Sequence, residues 1–558
     1  MKLFKKENLY IRTTTEVEEP TDKKKWWIYI GTGIFALIVI ISLFFVDGTL
    51  LPSKDDTEYK TSQTVILPMV SISSLNPLIS KDEDTYYISK LIYDSIITLD
   101  ENLTPTMQLA EKYAIDKQKR AITVTLRHGI VWHDGKKFTS ADVKYSIDAY
   151  KAAGNRSIYE ADISKINSVN VVGSDKVIIY FNSSTDMSLD SLTFPILPEH
   201  QFDSIGYAID KVAGFKPIGT GSYKYKRFDP TNKLTLVANS EYFGEIAQNS
   251  LVFQVLPNKL NFFNLLKASN LSLIISKSAT RKSEVSGEDV TVTDFPSNEV
   301  EYLGYNFLQP DLAKRSVRNA IAYAIDPQEL IDESFYGSGI KNADIYFPGY
   351  LGADSMNEPT EYNNAMAEDS LKKAGYKDSN GDGYVENSED NPLTLRILVN
   401  SNNTSRLLAA KQIVAFLKEI GIKGTIDKVD WNTYLSQLQT GDFDLYLGGM
   451  KLSKSMDLRN LLSKNGEYNY LSYANGKLDE LLDQMRSGLT PEEMKETYVA
   501  IRGILQKDLP YFCLFYKTTG AIQSPALVGE VKPTFDDYYK GSESWYCRYE
   551  VTTESTEE

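Results

Sequence analysis

The sequence predicts a protein of two or three α/β or α+β lobes held outside a membrane, with one transmembrane helix ahead of them. Three observations lead there. From Thr64 onward, strand patterns of period two are mixed with amphipathic helices at a spacing that indicates such lobes. The chain has 558 residues, too many for one core. And Trp26–Val46, WWIYIGTGIFALIVIISLFFV, is about 21 residues without a charge; at about 1.5 Å rise each they span a hydrocarbon core roughly 30 Å thick.

Lys23, Lys24 and Lys25 precede that run, and Asp47, Asp55, Asp56 and Glu58 follow it. This asymmetry predicts a cytoplasmic N-terminus and a C-terminal domain that is extracellular or periplasmic, anchored to the cell membrane. A cleaved signal peptide is the competing reading. Against it stand the length of the leader, residues 1–25, and the lack of a small-x-small site after Val46. No Cys follows the run to carry a lipid. Residues 1–25 read as a cytoplasmic tail and 47–61 as a linker.

Composition excludes several functions. A formal net charge of −15 lacks the basic footprint that nucleic acid requires. His128, His133 and His200 are too few and too scattered for a zinc site. The two cysteines, Cys513 and Cys547, leave a disulfide open. The 36 tyrosines suit pockets as well as ordinary surfaces.

In chain order, TVILPM from Thr64 reads as a strand, Asp84–Asp94 as a helix and Ser95–Asp100 as a strand. Ile122, Val124 and Leu126 alternate with polar residues in a half-buried strand. Val131-Trp132 is expected to begin another, with a tight turn at Asp134-Gly135. Ser140 is placed to cap a helix presenting Val143, Ile147 and Tyr150. Val169–Val172 and Val177–Phe181 suggest a hairpin, and two strands should flank the turn at Asp229–Asn232. Gly219 and Gly221 make a backbone turn; no helix follows, so they do not form a phosphate loop. Helices are expected at Ser316–Ile325, Pro327–Glu333, Ala365–Ala374 and Thr404–Glu419. The last of these turns Leu407, Ala410, Val414 and Leu417 to one side. Phe443–Gly449 reads as a buried strand ending in glycines. Thr490-Pro491-Glu492-Glu493 reads as a capping box, and Tyr511–Tyr516 as a buried strand. Acidic pairs such as Asp536-Asp537 read as solvated surface.

A set of runs in fixed order resembles the extracytoplasmic solute-binding proteins of peptide and nickel ABC transporters, the oligopeptide- and dipeptide-binding class. They include SLNPLI (Ser74–Ile79), LRHGIVWHDGKKFTSADVKYSI (Leu126–Ile147), PIGTGSY (Pro217–Tyr223), LTLVANSEYFG (Leu234–Gly244), VRNAIAYAIDPQELI (Val317–Ile331) and GDFDLYLGG (Gly441–Gly449). The resemblance covers about residues 62–549. It implies an α/β, two-lobed periplasmic-binding-protein-like clamp with an extra inserted domain. Lobe I would comprise 62–98, 201–298 and 515–549, the insertion 99–200 and lobe II 299–514, with an acidic tail at 550–558. It also implies capture of a peptide or peptide-like ligand between lobes, delivery to ABC permease subunits and no catalysis. No nucleophile elbow or HExxH contradicts that. A sensor or scaffold with an altered pocket is the alternative.

The same resemblance places ligand contacts at Lys81, Asp82 and Glu83 beside the LNP run, and at Gly448, Gly449, Met450 and Lys451. Glycines there would admit a ligand backbone or merely end the strand. Trp431 falls on a pocket-wall aromatic. Ser453 stands where peptide binders carry the Asp that pairs with the α-amine, and Asp457 is out of register. Leu438 and Leu447 fall where some members place Arg. A neutral hydroxyl supplies no charge-assisted bond to an amine, so a blocked, cyclic or uncharged ligand is implied. No cofactor is required. Asp378–Glu389 (DSNGDGYVENSE) fits a twelve-residue calcium loop, with Asp378, Asn380, Asp382 and Glu389 as ligands, Gly383 at the turn and Val385 at the apolar position. A solvated turn between helix and strand is the other reading, since a strand and not a second helix follows.

Overall fold

Thr64–Val70 alternates as its sequence requires: Val65, Leu67 and Met69 are buried, and the strand pairs in parallel with Ser250–Leu256. The computed structural model describes residues 59–550 except 213, 259–261, 268–270 and 354–359. The expected membrane helix at Trp26–Val46, the cytoplasmic tail, most of the linker and the acidic tail lie outside the described residues. Among the described residues, no helix is long and apolar enough to cross a membrane. Thr61–Tyr549 form one compact unit.

Three sheets organise this unit. The first runs in the order Thr64–Val70, Ser250–Leu256, Lys233–Ala238, Tyr223–Asp229. The helix Glu83–Ile92 packs into the same core through Tyr87, Ile88, Leu91 and Ile92. Gly219 and Gly221 lie against the end of that helix. A Cβ on Gly219 would come 1.7 Å from the Ile92 carbonyl, and Gly221 donates its N–H to the same oxygen at 2.9 Å. Their small size serves a helix terminus whose carbonyls need donors.

The second sheet is antiparallel: Ala110–Asp116, Ala121–Leu126, Lys176–Phe181, Ile166–Val172. Ile122 faces Ile179 and Val124 faces Val177, all buried. The helix Ser140–Ala153 begins one residue earlier than expected. Thr139 is its N-cap and donates its backbone N–H to the Asp142 carboxylate at 2.8 Å. Val131-Trp132 does not begin a strand; Val131 makes only an isolated bridge to Lys137 across a turn at Gly135, whose φ is 84°. Trp132 is fully buried, edge-on to Phe138. The run is apolar because the loop folds inward.

The third sheet runs Leu273–Ser276, Tyr511–Gln523, Thr291–Tyr305, Leu445–Lys451, Thr394–Asn400, Lys423–Val429. Two of its strands are long, 15 residues at Thr291–Tyr305 and 13 at Tyr511–Gln523, and they pair antiparallel. Both expected lobe divisions, 298/299 and 514/515, fall inside these strands. Their register shifts between Pro296 and Val300, where Pro cannot donate to the ladder. The parallel pair Thr394–Asn400 and Lys423–Val429 is joined through the helix Thr404–Glu419. That helix buries Ala409, Ala410, Ile413, Phe416 and Leu417, whereas Leu407 and Val414 are half-buried; the expected stripe was rotated by about one position. Leu445–Lys451 does not end at its glycines but passes through Gly448 and Gly449. Thr490 and Glu493 form the expected capping box. Cys513 and Cys547 are both buried and unpaired; the Cys547 thiol lies 3.3 Å from the Ser272 hydroxyl.

Candidate functional site

A cleft of about 760 Å³ opens among segments from well-separated parts of the chain. The first turn of Glu83–Ile92 contributes Glu83, Tyr86 and Tyr87. Other walls come from Ile158–Tyr159, the register break at Ser297–Glu299, the first turn of Thr404–Glu419, Lys451–Ser455 with Lys517–Thr519, and Phe535–Tyr538. This volume suits a ligand of several residues or a drug-sized solute.

Its aromatic wall is held by hydrogen bonds. Tyr87 stacks on Tyr538 with ring centres 3.6 Å apart and donates its hydroxyl to the Phe535 carbonyl at 2.9 Å. Tyr86 donates to Asp536, whose other oxygen accepts from Lys90 at 2.8 Å. Burial, then the Asp536 charge, pushes the Tyr86 phenol above its ordinary pKa, so it remains a donor. Burial alone would raise Asp536, but the charges of Lys90 and Lys454 outweigh it and hold the carboxyl well below its usual range. The pair Asp536-Asp537 reads in the sequence as solvated surface, but Asp536 is 5% exposed and belongs to this wall.

Behind Lys517 lies a second charge group. Lys517 sits 3.2 Å from Glu299 and 3.1 Å from Glu301, and Glu301 also takes Arg406 at 2.7 and 3.0 Å. Burial would lower the Lys517 and Arg406 pKa values, but the facing carboxylates raise both. All four charges are thereby committed to one another.

Of the residues expected to touch ligand, Glu83, Lys451 and Ser453 line the cleft, together with Lys81. Asp82 does not. It is the residue preceding the helix Glu83–Ile92 and accepts from the hydroxyls of Ser73 and Ser80. Gly448 and Gly449 do not line it either. A Cβ on Gly448 would meet the Tyr302 ring at 2.8 Å, and one on Gly449 would meet Arg406 at 2.1 Å and Glu301 at 2.7 Å. Side chains of the protein itself, not a ligand backbone, occupy the space these glycines leave. Met450 is half-buried against the neighbouring core. Trp431 is 46% exposed and stacks on Tyr434, away from the cleft lining. Leu438 and Leu447 are core residues. Asp457 is bound to Arg459 at 2.6 Å. Sequence reasoning missed Lys277, Lys454, Lys517, Tyr86, Tyr87, Tyr159 and Asp536. The tyrosine excess pointed at such a wall without saying which tyrosines form it.

The loop at 378–389 gathers a different set than expected. Asp378 and Asp382 converge with Glu386, all within 4.8 Å, and Glu386 is 2% exposed. Glu389 lies outside this group and instead accepts from Asn391. Asn380 donates to Asp382 and Glu386 rather than turning its oxygen toward their centre. The backbone bridges of Glu386 to Lys377 and Pro392 fold the loop inward at the ninth position, not the twelfth. Val385 docks the loop on Gly421, donating its N–H to that carbonyl at 2.9 Å.

Residues 104–469 match the family model described as bacterial extracellular solute-binding proteins, family 5, middle. The chain belongs to that family. It is 25% identical over 499 residues to the oligopeptide-binding protein AppA of Bacillus subtilis, covering 85% of this chain and 89% of that one. Its fold resembles the periplasmic murein tripeptide binding protein MppA in its unliganded open form, with TM-score 0.72, 19% identity and coverage of 89% and 99%. It also resembles NikA of Brucella suis in complex with Fe(III)-EDTA, with TM-score 0.63, 20% identity and coverage of 85% and 98%. The fold is thus that of the two-lobed α/β binding proteins. Membership of a solute-binding family, not an enzyme family, agrees with the absence of catalytic motifs from the sequence. Three relatives whose names specify an oligopeptide, a tripeptide and an iron chelate show that fold alone leaves the ligand open.

Proposed function

We propose that this protein is a membrane-tethered receptor that captures a peptide or peptide-like solute in the cleft and delivers it to the permease of an ABC importer. The observation that carries the reading is the cleft: about 760 Å³, walled by stacked tyrosines and bordered by backbone at the register break near Pro296, in a chain of this family. Tyrosine walls supply apolar area with fixed polar tips, which suits a chain of amide groups. Trp26–Val46 would tether the receptor with its N-terminus in the cytoplasm and raise its effective concentration near the permease. The lobes would close over the solute by bending within Thr291–Tyr305 and Tyr511–Gln523.

The test is mass spectrometry of material retained by the full chain purified in mild detergent. A reproducible peptide-like solute, lost when Tyr86 and Tyr159 are both changed to Ala, is the expected result. A cleft that retains nothing and binds no member of a peptide library sinks this reading and leaves a surface sensor or scaffold. Sequencing the mature N-terminus tests the tether separately: a start after Val46 removes it without touching the receptor.

A further inference from the structure

The charges lining the cleft do not balance. Five lysines and four carboxylates face it, in a protein whose formal net charge is −15. Each carboxylate already has a cation: Glu83 holds Lys277, Asp162 holds Lys165 at 3.2 Å, Glu299 holds Lys517, and Asp536 holds Lys90. Lys81, Lys451 and Lys454 have no ion-pair partner among the described residues. Lys81 and Lys451 are exposed and reach water.

Lys454 is different. Its ammonium is buried, finds no hydrogen-bond acceptor among the described residues, and lies 5.8 Å from the centre of the Tyr159 ring. Its charge reaches Asp536, but both oxygens of that carboxylate are already engaged, one by Tyr86 and one by Lys90. One carboxylate therefore serves two ammonium groups. A buried cation without an acceptor is costly, and the cost is relieved by an anion brought by a ligand. The first turn of the 16-residue helix Thr404–Glu419 opens on the same cleft at Asn403 and Ser405, adding the positive end of its dipole. A ligand ammonium finds the opposite situation, because binding it would mean breaking one of four existing pairs.

We propose that the cleft selects a net-anionic peptide-like ligand with a blocked amine, which sets a carboxylate against Lys454. This rests on the reading of the cleft as the ligand site and specifies the ligand class. The geometry makes Lys454 the residue that determines charge preference, with the tyrosine wall indifferent to it.

Four randomised tetrapeptide pools separate the possibilities: N-acetylated or free at the amine, crossed with acid or amide at the carboxyl end. Each is incubated with the full chain in detergent, and retained peptide is quantified by mass spectrometry after gel filtration. The acetylated acid pool is expected to be retained about tenfold more than the free-amine amide pool. Lys454→Gln should erase most of that ratio while still retaining peptide; Lys451→Gln, at an exposed site, should lower it less; Lys411→Gln, outside the cleft, should leave it unchanged. Equal retention of all pools, or preference for free amines, overturns the anion proposal and leaves the receptor reading standing. Retention of none overturns both. Displacement of the acetylated acids by millimolar inorganic phosphate, with Lys454→Gln abolishing it, would assign the lysine to phosphate and overturn the carboxylate.

Discussion

Reaching back from the cleft wall, Lys517 and Glu299 join Glu301 and Arg406 in one charge group, whereas Lys454 on the same wall ends without a hydrogen-bond acceptor among the described residues. The first group is part of the fold and holds the long strand Thr291–Tyr305 to the helix Thr404–Glu419 and to Tyr511–Gln523. Beyond its charge reaching Asp536, which Lys90 already pairs, Lys454 has no hydrogen bond or ion pair among the described residues, so the fold draws little on it. Charges that stabilise are matched within the chain, and a charge that recognises is left for something outside it.

The comparison breaks most sharply at Glu301. Glu301→Gln leaves Arg406 and Lys517 facing a neutral amide and should destabilise the protein by about 3–5 kcal/mol in urea unfolding. His133 is a neutral, hydrogen-bonded group of another kind: its Nδ1 accepts from the Gly219 N–H and its Nε2 lies 3.1 Å from the Gly221 carbonyl. It is half-buried between Gly219 and Gly221, and the loss of water there pushes its pKa down to about 4. Between that value and the usual ~6.5 the unfolded chain holds a proton that the folded one does not, so this contribution is fully present above pH ~6.5 and is lost as pH falls toward 4. Asp94 and Asp344, each raised to about 6 by burial, act in the opposite sense over overlapping pH. The readout is therefore a difference: His133→Asn should lose less stability than wild type between pH 7 and 4.5, by about 1–3 kcal/mol. Gly449→Ala should cost about 1–3 kcal/mol by forcing Arg406 from Glu301. Gly503→Ala, in the helix Pro491–Asp508 with nothing near its Cβ, should instead stabilise by about 0.5–1 kcal/mol. Lys454→Met should raise the melting temperature of the ligand-free protein slightly, by up to about 1 kcal/mol in stability, while weakening solute retention. A fall in stability there would mean the ammonium has a structural partner after all.

Much of the fold could be read from local pattern. Thr64–Val70, Ala121–Leu126 and the capping box at Thr490 follow from alternation and cap chemistry, which the chain expresses over a few residues. Where local reading failed, distant contacts decided. Val131-Trp132 looks like a strand because its apolar side chains are needed by a core, not by a sheet. The glycines at 448–449 resemble ligand contacts until Arg406, about forty residues away in sequence, is seen in the space they leave. Site residues were the least legible part. Glu83, Lys451 and Ser453 lie near a recognisable run, but Lys277, Lys454, Lys517 and Asp536 come from separate segments that only the fold brings together.

The pairing of Thr291–Tyr305 with Tyr511–Gln523 has a consequence for how the protein is made. The partner of a central strand is the last long strand of the chain, more than two hundred residues downstream, as the register Thr291↔Gln523 shows. Such a contact closes a very long loop and forms late. Until Tyr511–Gln523 is present, Thr291–Tyr305 has an open edge, and Ile522 is missing from the core around Leu256 and Leu271. A chain still emerging cannot complete its central sheet, so assembly must await nearly the whole polypeptide. Pulse hydrogen exchange should find the amides of Ala121–Leu126 protected before those of Thr291–Tyr305; the reverse order would show that the sheet nucleates without its last strand.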